Sequence, residues 1–251
     1  MDQFIKTGST GLDLILGGGY ALRRMTHIVG DSSTGKTQLA IELAANCIKQ
    51  YPFDSFAVDK KSKHYGVKQI LYCDAEAAFD PDYAYALGLD VEKVEFMQPS
   101  NEEHGVTLED WATQMAKWIE TIPTEDECLG AMMILDSLDA LPTLMEASTP
   151  FDQRERGYGA QKAKLLGEIF RTTVQTLLQK NIGWMVISQF RDNITGYGPK
   201  KIFSGGNAPK FYASQRLELS KNENLVFTVK DKKEIYGVSV NAYCAKNKCA
   251  K

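Results

Sequence analysis

Short apolar runs alternate with amphipathic stretches along most of the chain. Met25–Val29, Gln69–Cys73, Val94–Met97, Ala131–Leu135 and Trp184–Ser188 are brief and largely apolar, which predicts buried strands. Between them lie stretches of helical period. In Lys36–Lys49, Leu39, Leu43 and Cys47 repeat with Ala40, Ala44 and Ile48 beside them. Pro81–Leu87 reads as a short helix, Leu108–Ile119 carries Trp111, Met115 and Trp118 on one face, and Gln161–Gln179 reads as a long helix. The order predicts an α/β fold with a largely parallel central sheet and helices on both faces. Gln215–Leu219, Leu225–Val229 and Val238–Ala242 then read as strands separated by short polar turns, an antiparallel extension of the sheet. Glu146–Gly159 and Arg191–Gly206 fit neither pattern. Both follow strand ends, where sheets of this type bind ligands, and are candidate functional loops.

With 251 residues, 43% of them hydrophobic, the chain can bury one large core, and a single domain over residues 1–251 is expected. The net charge of -3 gives no global basic signature, so any nucleic-acid contact must come from a local patch. The five cysteines, Cys47, Cys73, Cys128, Cys244 and Cys249, form no C-x-x-C spacing and read as reduced thiols. No His/Cys cluster has zinc-site spacing. The N-terminus lacks a signal-peptide pattern and no apolar stretch reaches membrane-spanning length, so a cytoplasmic protein is expected.

The chemistry is concentrated between the first predicted strand and helix. Gly30-Asp31-Ser32-Ser33-Thr34-Gly35-Lys36-Thr37 is a complete G-x-x-x-x-G-K-[ST] phosphate loop. Glycines let successive backbone N–H groups turn inward around phosphates, and the helix N-terminus favours the anion. Lys36 reaches the β/γ-phosphates and the Thr37 hydroxyl serves Mg²⁺. Ala131–Leu135 ends in Asp136, the second half of such a site, which would hold Mg²⁺ beside Thr37. Glu76, just past Gln69–Cys73, is placed to polarise an attacking water, or else to lead a helix as an ordinary acid.

Thr7-Gly8-Ser9-Thr10-Gly11-Leu12-Asp13, the phosphate loop, Asp74-Ala75-Glu76, Leu135-Asp136-Ser137, Gln189, Gly205-Gly206-Asn207-Ala208 with Lys210-Phe211-Tyr212-Ala213-Ser214, and Lys246-Asn247-Lys248 closely resemble the ATPase core of the RecA recombinases. The resemblance runs in order from about residue 5 to the C-terminus. It implies a RecA-like P-loop NTPase core with ATP and Mg²⁺ as cofactors, in which Gly30, Asp31, Ser32 to Thr37 and Gln38 cradle the nucleotide. Glu76 resembles the catalytic glutamate, and Asp80 and Tyr83 match positions that contact adenine. Gln189 looks like the γ-phosphate-sensing glutamine. Lys246 and Lys248 resemble a pair that reaches a neighbouring protomer's γ-phosphate, which makes ATP hydrolysis a property of a subunit interface.

In that family the two loops hold single-stranded DNA. The second, from about residue 190 to 206, carries Arg191, Lys200 and Lys201 with Ile194, Tyr197 and Phe203 interleaved, ahead of Gly205, Gly206 and Asn207. Cations for phosphates and apolar or aromatic wedges for bases suit sequence-tolerant strand binding. The first, about 146–159, has Arg154, Arg156 and Tyr158. The chain departs from the resemblance in lacking the N-terminal polymerisation element and the C-terminal domain. This fits a minimal, phage-like recombinase or a core cut from a longer protein. The expected function is a DNA-dependent ATPase that assembles on single-stranded DNA, as a helical filament or ring, and promotes pairing, strand exchange or annealing, with duplex DNA as a possible second substrate. The alternatives are a RecA-like regulatory or assembly module acting on a protein partner, and a hexameric helicase-type motor.

Overall fold

The computed structural model describes residues 3–53, 65–100, 104–123, 128–153, 158–193, 201–203, 206–229 and 232–249. A small ladder of β1 (Phe4–Ile5) and β2 (Tyr20–Ala21) flanks helix α1 (Thr10–Ile15), and the main sheet follows. Its strands are β3 (Met25–Gly30), β4 (Ile70–Asp74), β5 (Val94–Phe96), β6 (Ala131–Asp136), β7 (Ile182–Gln189), β10 (Gln215–Val229) and β11 (Lys232–Asn247). The seven lie in the order β11-β10-β3-β7-β6-β4-β5. All neighbours are parallel except β10 and β11, which form an antiparallel hairpin. The largely parallel sheet with an antiparallel C-terminal extension is therefore the predicted one.

Burial on both faces explains the apolar runs. On β6, Met133 and Leu135 join one core cluster while Met132 and Ile134 join the other; on β7, Trp184 and Val186 face the first cluster and Met185 and Ile187 the second. The first cluster is covered by α4 (Leu108–Thr121) and α6 (Tyr158–Leu177), which contribute Trp111, Trp118, Leu166 and Phe170. The second is covered by α2 (Lys36–Gln50), through Ala40, Ile41, Leu43, Ala44 and Cys47. Helix α4 starts at a capping box in which Thr107 and Asp110 satisfy each other's backbone N–H groups. The remaining short helices are α3 (Pro81–Ala86), α5 (Leu144–Ser148) and α7 (Ala208–Tyr212).

Two expectations are corrected. The three C-terminal segments are two long strands, because Ser220–Asn224 continues β10 instead of turning, and β11 begins at Lys232. Beyond Leu219 the strand no longer pairs with β3, so its polar residues are solvated on a projecting hairpin. Helix α6 starts at Tyr158, three residues before the predicted start, and shortens the first candidate loop. No helix among the described residues is long and apolar enough to cross a membrane.

Candidate nucleotide site

The parallel strands end together at one edge of the sheet, and the chemistry-bearing residues ride on four adjacent ends. Gly30 closes β3 and pairs with Gln189, the last residue of β7; Asp136 closes β6 and pairs with Asp74, the last of β4. Glu76 follows two residues later. Its turn is fixed by Asp74, whose carboxylate accepts from the N–H groups of Ala78 (3.1 Å) and Phe79 (2.9 Å), while Ala75 N–H donates to the Asp136 carbonyl at 2.7 Å. Thus strand order, with β7 and β6 inserted between β3 and β4, gathers four segments that are far apart in sequence.

The phosphate loop folds around its glycines. A Cβ on Gly30 would lie 2.8 Å from Leu219 and 2.9 Å from the Thr34 hydroxyl, so only glycine fits where β3 enters the loop. Gly35 takes a left-handed φ of 78° at the N-cap of α2, with no side chain capping the helix. The first N–H groups of α2 are therefore unclaimed by a cap at the mouth of the loop. The Lys36 ammonium donates to the Asp31 carbonyl at 2.7 Å, and the Thr34 hydroxyl to the same oxygen at 2.8 Å.

A cavity of about 250 Å³ is lined by Ser32, Ser33, Thr34, Gly35, Lys36, Thr37, Glu76, Asp136 and Gln189. Its cation and its carboxylates oppose one another. Burial lowers the Lys36 pKa, against the raising effect of Glu76, Asp136, Asp31 and Asp139. Burial raises the Asp136 pKa, and the charges of Glu76 and Asp74 add to this; hydrogen bonds from Thr37 and Tyr72 partly offset it. Asp136 is 4% exposed and forms no salt bridge among the described residues. A buried carboxylate beside the Thr37 hydroxyl, short of positive charge, is a donor set that fits Mg²⁺.

Glu76 is held from two sides. Its Oε1 accepts from the Ser137 hydroxyl at 2.5 Å and from Gln189 Nε2 at 2.8 Å. The Gln189 N–H donates to Asp139 Oδ2 at 2.8 Å, and Arg191 Nη2 lies 3.4 Å from Asp139 Oδ1. From there the chain forms a two-residue ladder, β8 (Arg191–Asp192) with β9 (Lys201–Ile202), and Lys201 returns to the phosphate loop to contact Asp31 Oδ1 at 2.5 Å. Phe190 N–H donates to the Gly30 carbonyl at 3.2 Å. The stem of the second loop is thus fastened to the phosphate site at several points.

A sequence family described as the RecA N-terminal domain matches residues 2–251. The chain belongs to the RecA family. It is 32% identical over 249 residues to Protein RecA of Oleidesulfovibrio alaskensis, covering 98% of this chain and 61% of that protein. Against Protein RecA of Solidesulfovibrio magneticus it is 33% identical over 251 residues, at 98% and 60% coverage, and against that of Streptomyces venezuelae 30% over 252 residues, at 99% and 57%. The chain spans about 60% of the length of these curated relatives.

The other described residues singled out from the RecA resemblance are not among those lining the cavity. Asp80 is the N-cap of α3, its Oδ1 accepting from Asp82 N–H (2.9 Å) and Tyr83 N–H (3.1 Å), and Tyr83 is an exposed residue of that helix. Gln38 donates to Glu42 at 3.0 Å. Lys246 pairs in the ladder with Arg216, which pairs with His27, three strand residues and roughly 10 Å before Gly30. Its ammonium donates to the carbonyls of Lys210 (2.7 Å) and Phe211 (3.0 Å) at the end of α7, and burial, Lys248 and Arg216 lower its pKa. Lys248 N–H donates to the Ser214 carbonyl at 2.8 Å. Phe203 packs edge-on against buried His27 at 5.1 Å, and Gly206 (φ 62°) and Asn207 lead into α7. Arg154, Arg156, Ile194, Tyr197, Lys200 and Gly205 lie outside the described residues, as does the Tyr158 side chain. Sequence reasoning missed Tyr72 and Asp139, and quoted Ser137 within a motif without giving it a role. Ser137 and Asp139 directly follow the strand ending in Asp136, which is the signal that would have drawn attention to them.

Proposed function

We propose that this chain is the ATPase core of a recombinase that binds single-stranded DNA, couples that binding to ATP through its second loop, and promotes homologous pairing, strand exchange or annealing. The observation that carries this reading is the path of hydrogen bonds from Glu76 through Gln189 to Asp139, continued to Arg191 by an ion pair. A group facing the nucleotide is joined by it to the stem of a loop that carries cations and aromatic rings. In this reading the phosphate loop and Lys36 hold the triphosphate, and Thr37 and Asp136 would hold Mg²⁺, which would supply positive charge to the phosphate oxygens. Glu76 takes the proton of the attacking water, with Ser137 and Gln189 fixing its carboxylate. Gln189 reports the γ-phosphate to residues 190–207.

Lys246 and Lys248 sit away from this chain's own cavity. They act on a neighbouring copy, so turnover requires a homo-oligomer, filament or ring. The test is ATP turnover with and without single-stranded DNA, with Lys36→Ala as the blank. Strong stimulation by DNA supports the reading; nucleotide binding with turnover indifferent to DNA overturns it in favour of an assembly module.

A further inference from the structure

A grouping of cations and rings outside the phosphate cavity lies beside the C-terminal half of the sheet. A pocket of about 550 Å³ opens between Lys201–Phe203, α7 and the β10–β11 ladder, and shares no lining residue with the phosphate cavity. Phe203 is part of its lining. The Arg216 guanidinium is 4.9 Å and the Lys210 ammonium 5.3 Å from the centroid of that ring, whose position is set by its edge contact with His27. Tyr243, 67% exposed, adds a second ring to the lining.

The charges in this pocket are incompletely matched. Arg216 Nη2 pairs with Glu218 at 2.8 Å, but Arg216 Nε is buried with no hydrogen-bond partner among the described residues. Lys210 forms no ion pair among the described residues. Lys201 is held by Asp31, in a pair whose side chains are 46% and 32% exposed. An exposed pair of this kind contributes little and is readily exchanged for a phosphate. The size suits a small ligand. Its cations seek an anion, and its rings offer faces for stacking.

We propose that this pocket binds one nucleotide, an aromatic base carrying a phosphate. The base lies against Phe203 and Tyr243, and the phosphate takes Lys210 and draws Lys201 from Asp31. The proposal rests on the strand-binding reading, because Lys201 and Phe203 belong to the same loop. Release of Lys201 would also tell the phosphate loop that the pocket is filled. The nucleotide comes either from a DNA strand or from free mononucleotide.

The experiment first saturates the protein with a non-hydrolysable ATP analogue and Mg²⁺, then titrates thymidine monophosphate, inorganic phosphate and oligothymidylate by calorimetry. One saturable site for the monophosphate is expected, with phosphate alone weaker by about tenfold or more because the stacking is lost. Lys210→Gln and Tyr243→Ser should each weaken the monophosphate about tenfold and leave affinity for the ATP analogue unchanged. Displacement of the monophosphate by oligothymidylate identifies a strand as the source; simultaneous binding identifies free nucleotide. No saturable monophosphate site, or equal binding by both variants, overturns the proposal. If that happens while DNA still stimulates turnover, the pocket fails and the proposed function stands. If the monophosphate binds while long single strands neither bind nor stimulate, the strand reading fails and a mononucleotide site remains.

Discussion

Glu76→Gln isolates the base from the scaffold around it. The two groups that fix Glu76 are both donors to Oε1, the Ser137 hydroxyl at 2.5 Å and Gln189 Nε2 at 2.8 Å. A glutamine carbonyl accepts the same two bonds, so the change removes charge and basicity while the hydrogen bond to Asp139 and its ion pair with Arg191 persist. Loss of a positioned general base lowers turnover by roughly 10²–10⁴-fold. This corresponds to about 2.7–5.4 kcal/mol on the barrier. Steady-state ATP hydrolysis in the presence of single-stranded DNA gives kcat. Fluorescence anisotropy with a labelled strand gives DNA affinity in the presence of ATP. The expected variant hydrolyses slowly, binds nucleotide as the parent does, and holds the strand longer. A kcat within about tenfold of the parent refutes Glu76 as the base. Loss of DNA binding with turnover intact refutes the whole coupling scheme.

Three further outcomes follow from the geometry. Gln215→Leu removes four buried hydrogen bonds, two accepted by Oε1 from Ala21 N–H and Thr26 Oγ1 and two donated by Nε2 to the Leu16 and Gly19 carbonyls. At about 0.5–1.5 kcal/mol each, the loss is roughly 2–6 kcal/mol, a fall of about 10 °C in Tm by calorimetry; an unchanged Tm would refute it. Burial raises the Asp136 pKa, so between the ordinary carboxylate value and that raised value the folded state binds more protons than the unfolded one. Stability from this residue therefore falls as pH rises through that window. Asp136→Asn should raise the stability of the ligand-free protein near neutral pH by about 1–3 kcal/mol, with the advantage shrinking as pH falls through the window, and should abolish the extra stabilisation by Mg²⁺ measured in the parent. Lys201→Met should leave Tm nearly unchanged, since its ion pair is exposed, yet flatten the salt dependence of strand binding by about 0.7 in log-log slope; an identical slope removes Lys201 from the phosphate contacts.

The parts of the site written in consecutive residues were legible in the sequence, and the parts assembled by sheet order were not. Gly30 to Thr37 carries its own turn chemistry, and the apolar strand ending at Asp136 marks its own end. Tyr72 donates to Asp136 Oδ2 at 3.2 Å because β4 pairs with β6, and Asp139 meets the Gln189 N–H because β6 adjoins β7. No local pattern encodes either adjacency. The C-terminal hairpin was misread for a different reason. Ser220, Lys221, Asn222, Glu223 and Asn224 look like a turn, yet they continue a ladder with β11 after β10 leaves β3, where solvent covers both faces and hydrophobic alternation has nothing to report.

The two ends of the second loop are fastened with unequal strength, which decides which of them can respond to a ligand. At the first end Gln189 N–H meets Asp139, whose side chain is 6% exposed, and hydrogen bonds to buried charges are worth about 1.5–3 kcal/mol. The Phe190 N–H to Gly30 carbonyl bond and the Gln189 to Glu76 bond reinforce the same short segment. At the other end, Lys201 meets Asp31 in an exposed pair worth about 0–1 kcal/mol. A ligand with modest differential affinity can therefore release Lys201, whereas displacing residues 189–190 requires breaking several bonds at once. Under the proposed function, the stem at Gln189 would be the fixed arm and the Lys201–Phe203 end the arm that yields. Asp31, which belongs to the phosphate loop and pairs with Lys201, would then be the carboxylate through which a strand and a nucleotide influence each other.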